Sequence, residues 1–344
     1  MQTWDAQPED WMEPGAHRVV KGVYRIPLPL PLKELQTINA FLLIDGDDAI
    51  LVDPGFASAE SERQLAAALN SLGLGFTEVR QILSTHTHWD HYSQAIVLRA
   101  KYGIPMGVGK EERHTIAAFD EGIGFYPAQA HRLYTCGAAP LAEQIQSLPR
   151  EAHEVNVPFG TPDVWLEDGQ RIRLGSRAIT IHATPGHTRG HIVITDQDRG
   201  VQITGDHILP RITPSLGLEV APEAFPLQSF LNSLELVRQL PDAVMLPAHG
   251  QVGGSVHDRA DALLEHHRER LAAVEGEVSA GAATALDVAN NLRWTRRRFA
   301  LTELAPVHQM TAILEVATHL DVLKAEGRVR HETINNVEHF AGAH

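Results

Sequence analysis

The chain contains a single cysteine, Cys136, among 344 residues, so no internal disulfide can form. No reactive-cysteine signature surrounds it, and it reads as a small buried hydrophobe rather than a catalytic thiol. The chain also has no apolar stretch approaching the roughly 20 residues that a membrane helix requires. Basic residues are in deficit. Lys and Arg number 29 against 43 Asp and Glu, a formal charge of -14. That balance counts against a non-specific polyanion binder, because affinity for nucleic acid rests on basic patches that release counterions. The segment from Met1 to Asp10 is acidic and lacks the cationic start and apolar run of a signal peptide, so a cytoplasmic protein with no membrane partner is expected. The length is enough for a large core and suggests about two domains at roughly 150 residues each.

Histidine, by contrast, is plentiful, with 20 in the chain. The run Ser84-Thr85-His86-Thr87-His88-Trp89-Asp90-His91 follows an apolar strand, Val79 to Leu83, and places four potential metal ligands in six positions. In extended backbone, side chains two apart share a face, so His86 and His88 can grip one cation together. As the chain then curls into a helix, Asp90 and His91 swing toward a neighbouring point. His187, in Ala183 to His191, Asp206, in Ile203 to His207, and His249, in Leu246 to Gly250, each follow a β-type run and sit beside a Gly or Pro that ends it. A carboxylate can bridge two ions where one imidazole nitrogen cannot, which makes Asp206 the natural bridge. A lone H-x-H is weak evidence in a chain so rich in histidine. Ligand types at consecutive strand ends are stronger. With no thiolate among them, these nitrogen and oxygen ligands suit two divalent ions, zinc first, with iron or manganese also compatible.

The order H-x-H-x-D-H, H, D, H is similar to that of the metallo-β-lactamase-fold hydrolases, and Thr184 to His191 resembles glyoxalase II. The resemblance spans residues 19 to 257 and implies an α/β fold, the αββα sandwich. It implies that His86, His88 and His187 hold the first metal and Asp90, His91 and His249 the second, with Asp206 between them. Asp53, in Ile50 to Gly55, resembles the family's aspartate that orients the ligand loop by hydrogen bonding. A turn or cap before Pro54 is its other reading. Tyr92-Ser93-Gln94 stands where a Gly-rich pair is commoner, a departure that concerns the substrate rather than the metals. His88 separates the chain from diiron redox members, which carry Glu there.

Four regions emerge along the chain: an N-terminal extension, 1–18; a catalytic domain, 19–257; within it a helical insertion, 110–158; and a helical C-terminal domain, 258–344. Long insertions in compact domains are often lids. This one carries Phe119, Phe125, Tyr126 and Tyr134, and is expected to cover the substrate, with Phe125 and Tyr126 in contact; a helical pair packed on the sandwich or on a second subunit is the alternative. The alternation Pro27 to Leu32 is expected to form an edge loop over the site, because proline cannot donate in a central ladder. Arg211, in the loop after Asp206, could meet an anionic substrate group or pair with the lid; His207 reads as structural. Arg293 to Arg298 reads as a solvated helix face. The tail reads as helices at Asp258 to Gly276, Ala282 to Leu292, Pro306 to Glu326 and Arg328 to Phe340, while Gly327-Arg328-Val329 also suggests a short strand pair. It resembles the superfamily branch that ends in a winged-helix segment, a branch including endoribonucleases. Packing on the core or building a homodimer is expected of it, rather than nucleic-acid binding.

The ligand set implies a mechanism. Two cations about 3.5 to 4 Å apart lower the pKa of a shared water toward 7 and yield a metal-bridging hydroxide. Asp90 would orient that water and carry a proton to the leaving group. The expected enzyme is a dinuclear metal-dependent hydrolase of a small-molecule ester, lactone or thioester. An RNA phosphodiesterase of endoribonuclease type is the alternative, a β-lactamase less so. A DNA-binding regulator with a vestigial metal centre conflicts with the presence of every ligand.

Overall fold

Residues alternate in period two along most strands, and this builds two β-sheets whose facing sides share one core. A computed structural model describes residues 5, 7–32, 35–120, 127–149 and 157–343. The first sheet runs in chain order through β1 (His17–Val20), β2 (Val23–Pro29), β3 (Thr37–Asp45), β4 (Asp48–Val52), β5 (Val79–Ser84), β6 (Met106–Gly109) and β7 (Val164–Leu166). Pairing is antiparallel as far as β4 and parallel beyond it. Helices α1 (Ala59–Ser71) and α2 (Trp89–Tyr102) make the crossovers on either side of β5, as parallel neighbours require. The second sheet comprises β8 (Arg171–Leu174), β9 (Arg177–Ala183), β10 (Ile192–Asp196), β11 (Val201–Gly205) and β12 (Val244–Pro247), in the order β12-β11-β10-β9-β8.

Side-chain alternation assigns the layers. Phe41 and Leu43 of β3 meet Ile181, Ile194 and Ile203 between the sheets. Leu42 turns the other way, into a cluster with Leu65 of α1 and Leu98 of α2. On the outer face of the second sheet, Val193 and Met245 join Phe230 of α6 (Pro226–Gln239) and Leu263 of α7 (Val256–Ser279). The result is a four-layer α/β arrangement, helices outside and sheets inside.

The insertion supplies α3 (Arg113–Asp120), α4 (Pro127–Thr135) and α5 (Ala139–Ser147); the tail supplies α8 (Ala285–Asn291), α9 (Pro306–Ala325) and a hairpin of β13 (Val329–Ile334) and β14 (Val337–Gly342). Helix α9 is rich in apolar residues, and Ile313, Val316, Leu320 and Leu323 are all buried. It packs against α4, α5, α6, α7 and α8, so one apolar cluster runs from the sandwich through insertion and tail. The boundary expected after His257 falls inside the first turn of α7, which Ser255 caps.

Several expectations need correction. Pro27 and Pro29 lie within β2, paired opposite Asn39 and Thr37, instead of forming an edge loop. The strand tolerates them because β1 pairs only with Val23 to Arg25, leaving the outer side of the proline stretch without a partner strand. Helices α4 and α5 of the insertion are packed into the body of the protein. Leu133 and Ile145 are buried in the helical cluster, and Arg132 binds Asp321 and Glu338 of the tail at 2.9 and 2.6 Å. Arg328 to Phe340 is not helical but forms the hairpin, turned at Asn335 and Asn336 with φ of 51° and 64°, the left-handed pair of a type I′ turn. Arg293 to Arg298 is not a helix face either; it is a tight loop closed by reciprocal backbone bonds of 2.9 Å between Trp294 and Phe299. Among the described residues, no helix is long and apolar enough to cross a membrane.

Candidate metal centre

The site forms where β4, β5, β9, β11 and β12 end. At the end of β4, Asp53 has a φ of 47°, an uncommon conformation for a side-chain-bearing residue, and it sits at a junction of three contacts. Its Oδ1 accepts the Thr85 backbone N–H at 2.7 Å and its Oδ2 accepts the Thr85 hydroxyl at 2.8 Å. The same Oδ2 accepts Nδ1–H of His91 at 3.0 Å, which fixes the ring's orientation and leaves Nε2 as the atom available to a metal once its proton has left. Carbonyls perform the same task for two other rings. His187 donates Nδ1–H to Ser215 O at 2.7 Å, and His249 donates to Thr37 O at 3.0 Å. In each case Nε2 is turned inward.

The side chains converge as two groups, His86, His88, His187 and Asp206 in one and Asp90, His91 and His249 in the other, with ligand atoms in each lying within 4.8 Å of one another. Asp206 faces both. Its Oδ2 is 3.6 Å from His187 Nε2, while Oδ1 is 3.4 Å from His249 Nε2 and 3.7 Å from His91 Nε2. Asp90 Oδ2 lies 3.4 Å from His249 Nε2 and 3.7 Å from His91 Nε2. Nε2 of His86, His91 and His249 and Oδ1 of Asp206 are buried without a hydrogen-bond partner among the described residues. Leaving buried polar atoms unpaired costs about 1 to 3 kcal/mol each. A divalent cation in each group would satisfy them, so the donor set fits two metal ions.

Electrostatics agree. Burial holds His86 well below the ordinary imidazole range and brings His88 to about 3, with neighbouring imidazoles adding to the effect. These rings stay neutral, as ligands must be. Burial opposes charge on His91 too, but Asp90, Asp53 and Asp206 outweigh it and push the ring up to about 10. Burial likewise raises Asp90, and the facing His91 and His249 overcome that and hold it far below the usual carboxylate range. The carboxylates of Asp90, Asp53 and Asp206 thus favour positive charge at the second group, whether a proton on His91 or a metal cation.

Three supporting residues were not singled out from the sequence. His191 donates Nδ1–H to Thr184 Oγ1 at 2.9 Å and accepts the Asp206 backbone N–H at 3.2 Å through Nε2, so it seats the residue that faces both groups. Glu112 is fully buried behind the ligand loops, where the hydroxyls of Thr87 and Thr188 both donate to it. Glu219 accepts the Arg189 backbone N–H at 2.8 Å and so braces the same turn. A signal for this bracing existed in two glycines. A Cβ on Gly190 would stand 2.1 Å from Glu112 N, and one on Gly109 would stand 2.0 Å from Gly190 O. Arg211 is exposed, away from the ligand groups; its carbonyl accepts from Arg296, and among the described residues its guanidinium makes no pair with the insertion. Phe125 and Tyr126 lie outside the described residues.

Residues 35–249 match the family model of the metallo-beta-lactamase superfamily. The chain belongs to that superfamily. It is 23% identical over 326 residues to the probable metallo-hydrolase YqjP of Bacillus subtilis, covering 92% of this chain and 96% of that one. Over 179 residues, 52% of this chain and 69% of the other, it is 26% identical to the hydroxyacylglutathione hydrolase GloC of Haemophilus influenzae. A crystal structure of a metallo-beta-lactamase family protein from Thermus thermophilus superposes with a TM-score of 0.75 at 26% identity, covering 94% of this chain and 99% of that one. The protein is a metal-dependent hydrolase of this superfamily, with His and Asp clusters able to bind metal ions.

Proposed function

We propose that the protein hydrolyses a carboxylic ester, lactone or thioester of a small molecule with two divalent ions, zinc first. The observation that carries this reading is the placing of Asp206 between two histidine-rich groups, each with unpartnered Nε2 atoms aimed inward. His86, His88 and His187 would hold one ion, Asp90, His91 and His249 the other, and Asp206 both. Bound there, the ions would polarise a carbonyl and activate water. Asp90 stays ionised beside His249, so its carboxylate can accept a hydrogen bond from water, orient it and carry a proton to the leaving group. Asp53 keeps His91 in the tautomer that presents Nε2.

A thioester is supported by the likeness to the hydroxyacylglutathione hydrolase. The tail, with α8, α9 and the β13–β14 hairpin in that order, is read as winged-helix-like, which is the support for RNA as the alternative substrate. Against it, most of α9 is buried in the helical cluster, with Ile313, Val316, Leu320 and Leu323 facing apolar neighbours, and a formal charge of -14 disfavours a polyanion. The test is a panel of thioesters, lactones, phosphodiesters and β-lactams on metal-loaded protein. Thioester or ester turnover that a chelator abolishes is expected; turnover confined to phosphodiesters or β-lactams would overturn the reading.

A further inference from the structure

In a chain of net charge -14, six arginines line one groove: Arg211, Arg259, Arg270, Arg293, Arg296 and Arg298. The groove has a volume of about 1190 Å³, lies between α7, α9 and the loop after Asp206, and none of the candidate metal ligands lines it. Two carboxylates line it as well, Glu269 and Glu315, and Glu315 is already paired with Arg270 at 3.0 Å. Arg211, Arg293 and Arg298 are exposed, with no side-chain hydrogen bond or ion pair among the described residues. Like charges gathered in a concavity repel unless an anion joins them.

The arginines are held in place. Trp294 is buried, donates Nε1–H to Ala289 O at 2.9 Å and lies under the Arg270 guanidinium at 4.6 Å. From it springs the tight loop to Phe299, with Thr295 at φ 60° and Arg298 at φ 58°. A β-branched threonine in the left-handed region is a strained residue, of the kind that persists where the surroundings impose it. Opposite the loop, Arg259 donates to Leu209 O at 2.6 Å and to Ile212 O at 2.9 Å, and Arg296 donates to Arg211 O at 2.9 Å. Burial, with the Arg296 charge adding to it, pushes the Arg259 guanidinium down.

We propose that this groove binds the phosphate or diphosphate group of a small organic anion, at a site distinct from the metal ligands. Guanidinium forks match phosphoryl oxygens two at a time, and several converging forks suit a multiply charged group better than a single carboxylate. At about 1190 Å³ the groove is large enough for a nucleotide-sized molecule, since ligand pockets run to roughly 300–1,000 Å³. The lining mixes the arginines with Glu269 and Glu315, acidic groups that a channel tracking a nucleic-acid backbone would not favour. The groove is linked to the metal centre along the chain, because the segment that carries Arg211, Ile212 and Thr213 runs on to Ser215, the carbonyl partner of His187.

The test is calorimetric titration of the metal-loaded protein with adenosine diphosphate. The double variant Arg293→Gln/Arg298→Gln should bind about tenfold more weakly or worse, equivalent to about 1.4 kcal/mol. Arg297→Gln, in the same loop but not lining the groove, should bind like the parent. Circular dichroism checks that the variants are folded, and the single variants carry the test if the double variant melts early. No measurable binding by the parent, or binding indifferent to the double variant, as expected of a ligand on the metal centre, overturns the proposal. So does an equal loss in Arg297→Gln, which would signal general charge screening. Tighter binding of a single-stranded oligouridylate that is lost in the same double variant would replace it with an RNA groove.

Discussion

Asp206 reaches toward His187 Nε2 with one carboxylate oxygen, at 3.6 Å, and toward His249 Nε2 with the other, at 3.4 Å. This side chain, grouped with His86, His88 and His187, therefore turns one oxygen toward its own group and the other toward the histidines of the second. Asp206→Asn keeps the shape but removes the charge that offsets two cations. Elemental analysis should find close to two metals per chain in the parent and about one in the variant, with hydrolysis lost. A variant that retains both ions would show that Asp206 does not bridge.

Metal loading should release protons. His91 is pushed up to about 10 by Asp90, Asp53 and Asp206 against the opposing effect of burial, so in the metal-free protein it is protonated at pH 7. A cation can take its Nε2 only when that proton leaves. Affinity for the second ion should therefore rise with pH between 6 and 8. Calorimetry in buffers of different ionisation enthalpy would read the release directly. The same sign governs metal-free stability: protonated His91 contributes fully below about 6.5, and the contribution fades as pH climbs through about 10. Loading that releases no proton at pH 7 would remove this account.

Asp90 is expected to matter more to turnover than to the first metal. Asp90→Ala should lower kcat by roughly 10² to 10⁴, the span of a positioned acid–base group. Ion content at His86, His88 and His187 should persist. Near-normal turnover on the best substrate would remove the proton-transfer role.

Glu112 offers a test of the bracing behind the loops. Burial raises its carboxyl from 4.5 to about 7, with the Thr87 and Thr188 hydroxyls pulling the other way. An acid whose folded pKa is raised stabilises below its unfolded value and loses that contribution as pH rises through the folded one. Glu112→Gln stays neutral throughout, so its melting temperature relative to the parent should increase from pH 5 to pH 8. A difference that is flat with pH would count against a buried, titrating Glu112. Gly190→Ala, which sets a methyl 2.1 Å from Glu112 N, should instead cost about 1 to 3 kcal/mol at every pH.

Truncation after Gly276 should give insoluble protein. It removes α9 and leaves Leu133, Phe230 and Leu263 facing solvent in one patch. Size-exclusion chromatography of the shortened chain decides this. A soluble, well-folded product would mean that sandwich and tail have separate cores.

The sequence by itself determined the strand ends and what stands on them. Val79 to Leu83, Val201 to Ile203 and Ala243 to Leu246 read as strands from local composition, and the structure puts β5, β11 and β12 there. Local order sufficed because His86, His88, Asp90 and His91 occupy one turn of backbone, whose strand-to-helix transition is enough to aim them. What lies across the fold was decided elsewhere. Nothing adjacent to Glu112 marks it as the partner of Thr87 and Thr188, because the contact exists only once β6 lies beside β5. Arg132 cannot be known to serve the tail until α4 meets Asp321 and Glu338, which lie 189 and 206 residues further along the chain. The prolines of β2 and the arginines of the Trp294 to Phe299 loop follow the same rule: chain-local chemistry proposed a loop and a helix face, and strand pairing and burial of Trp294 decided otherwise. Ligand geometry is a short-range property of backbone and is written locally, whereas packing partners are chosen by apolar area removed from water over the whole chain.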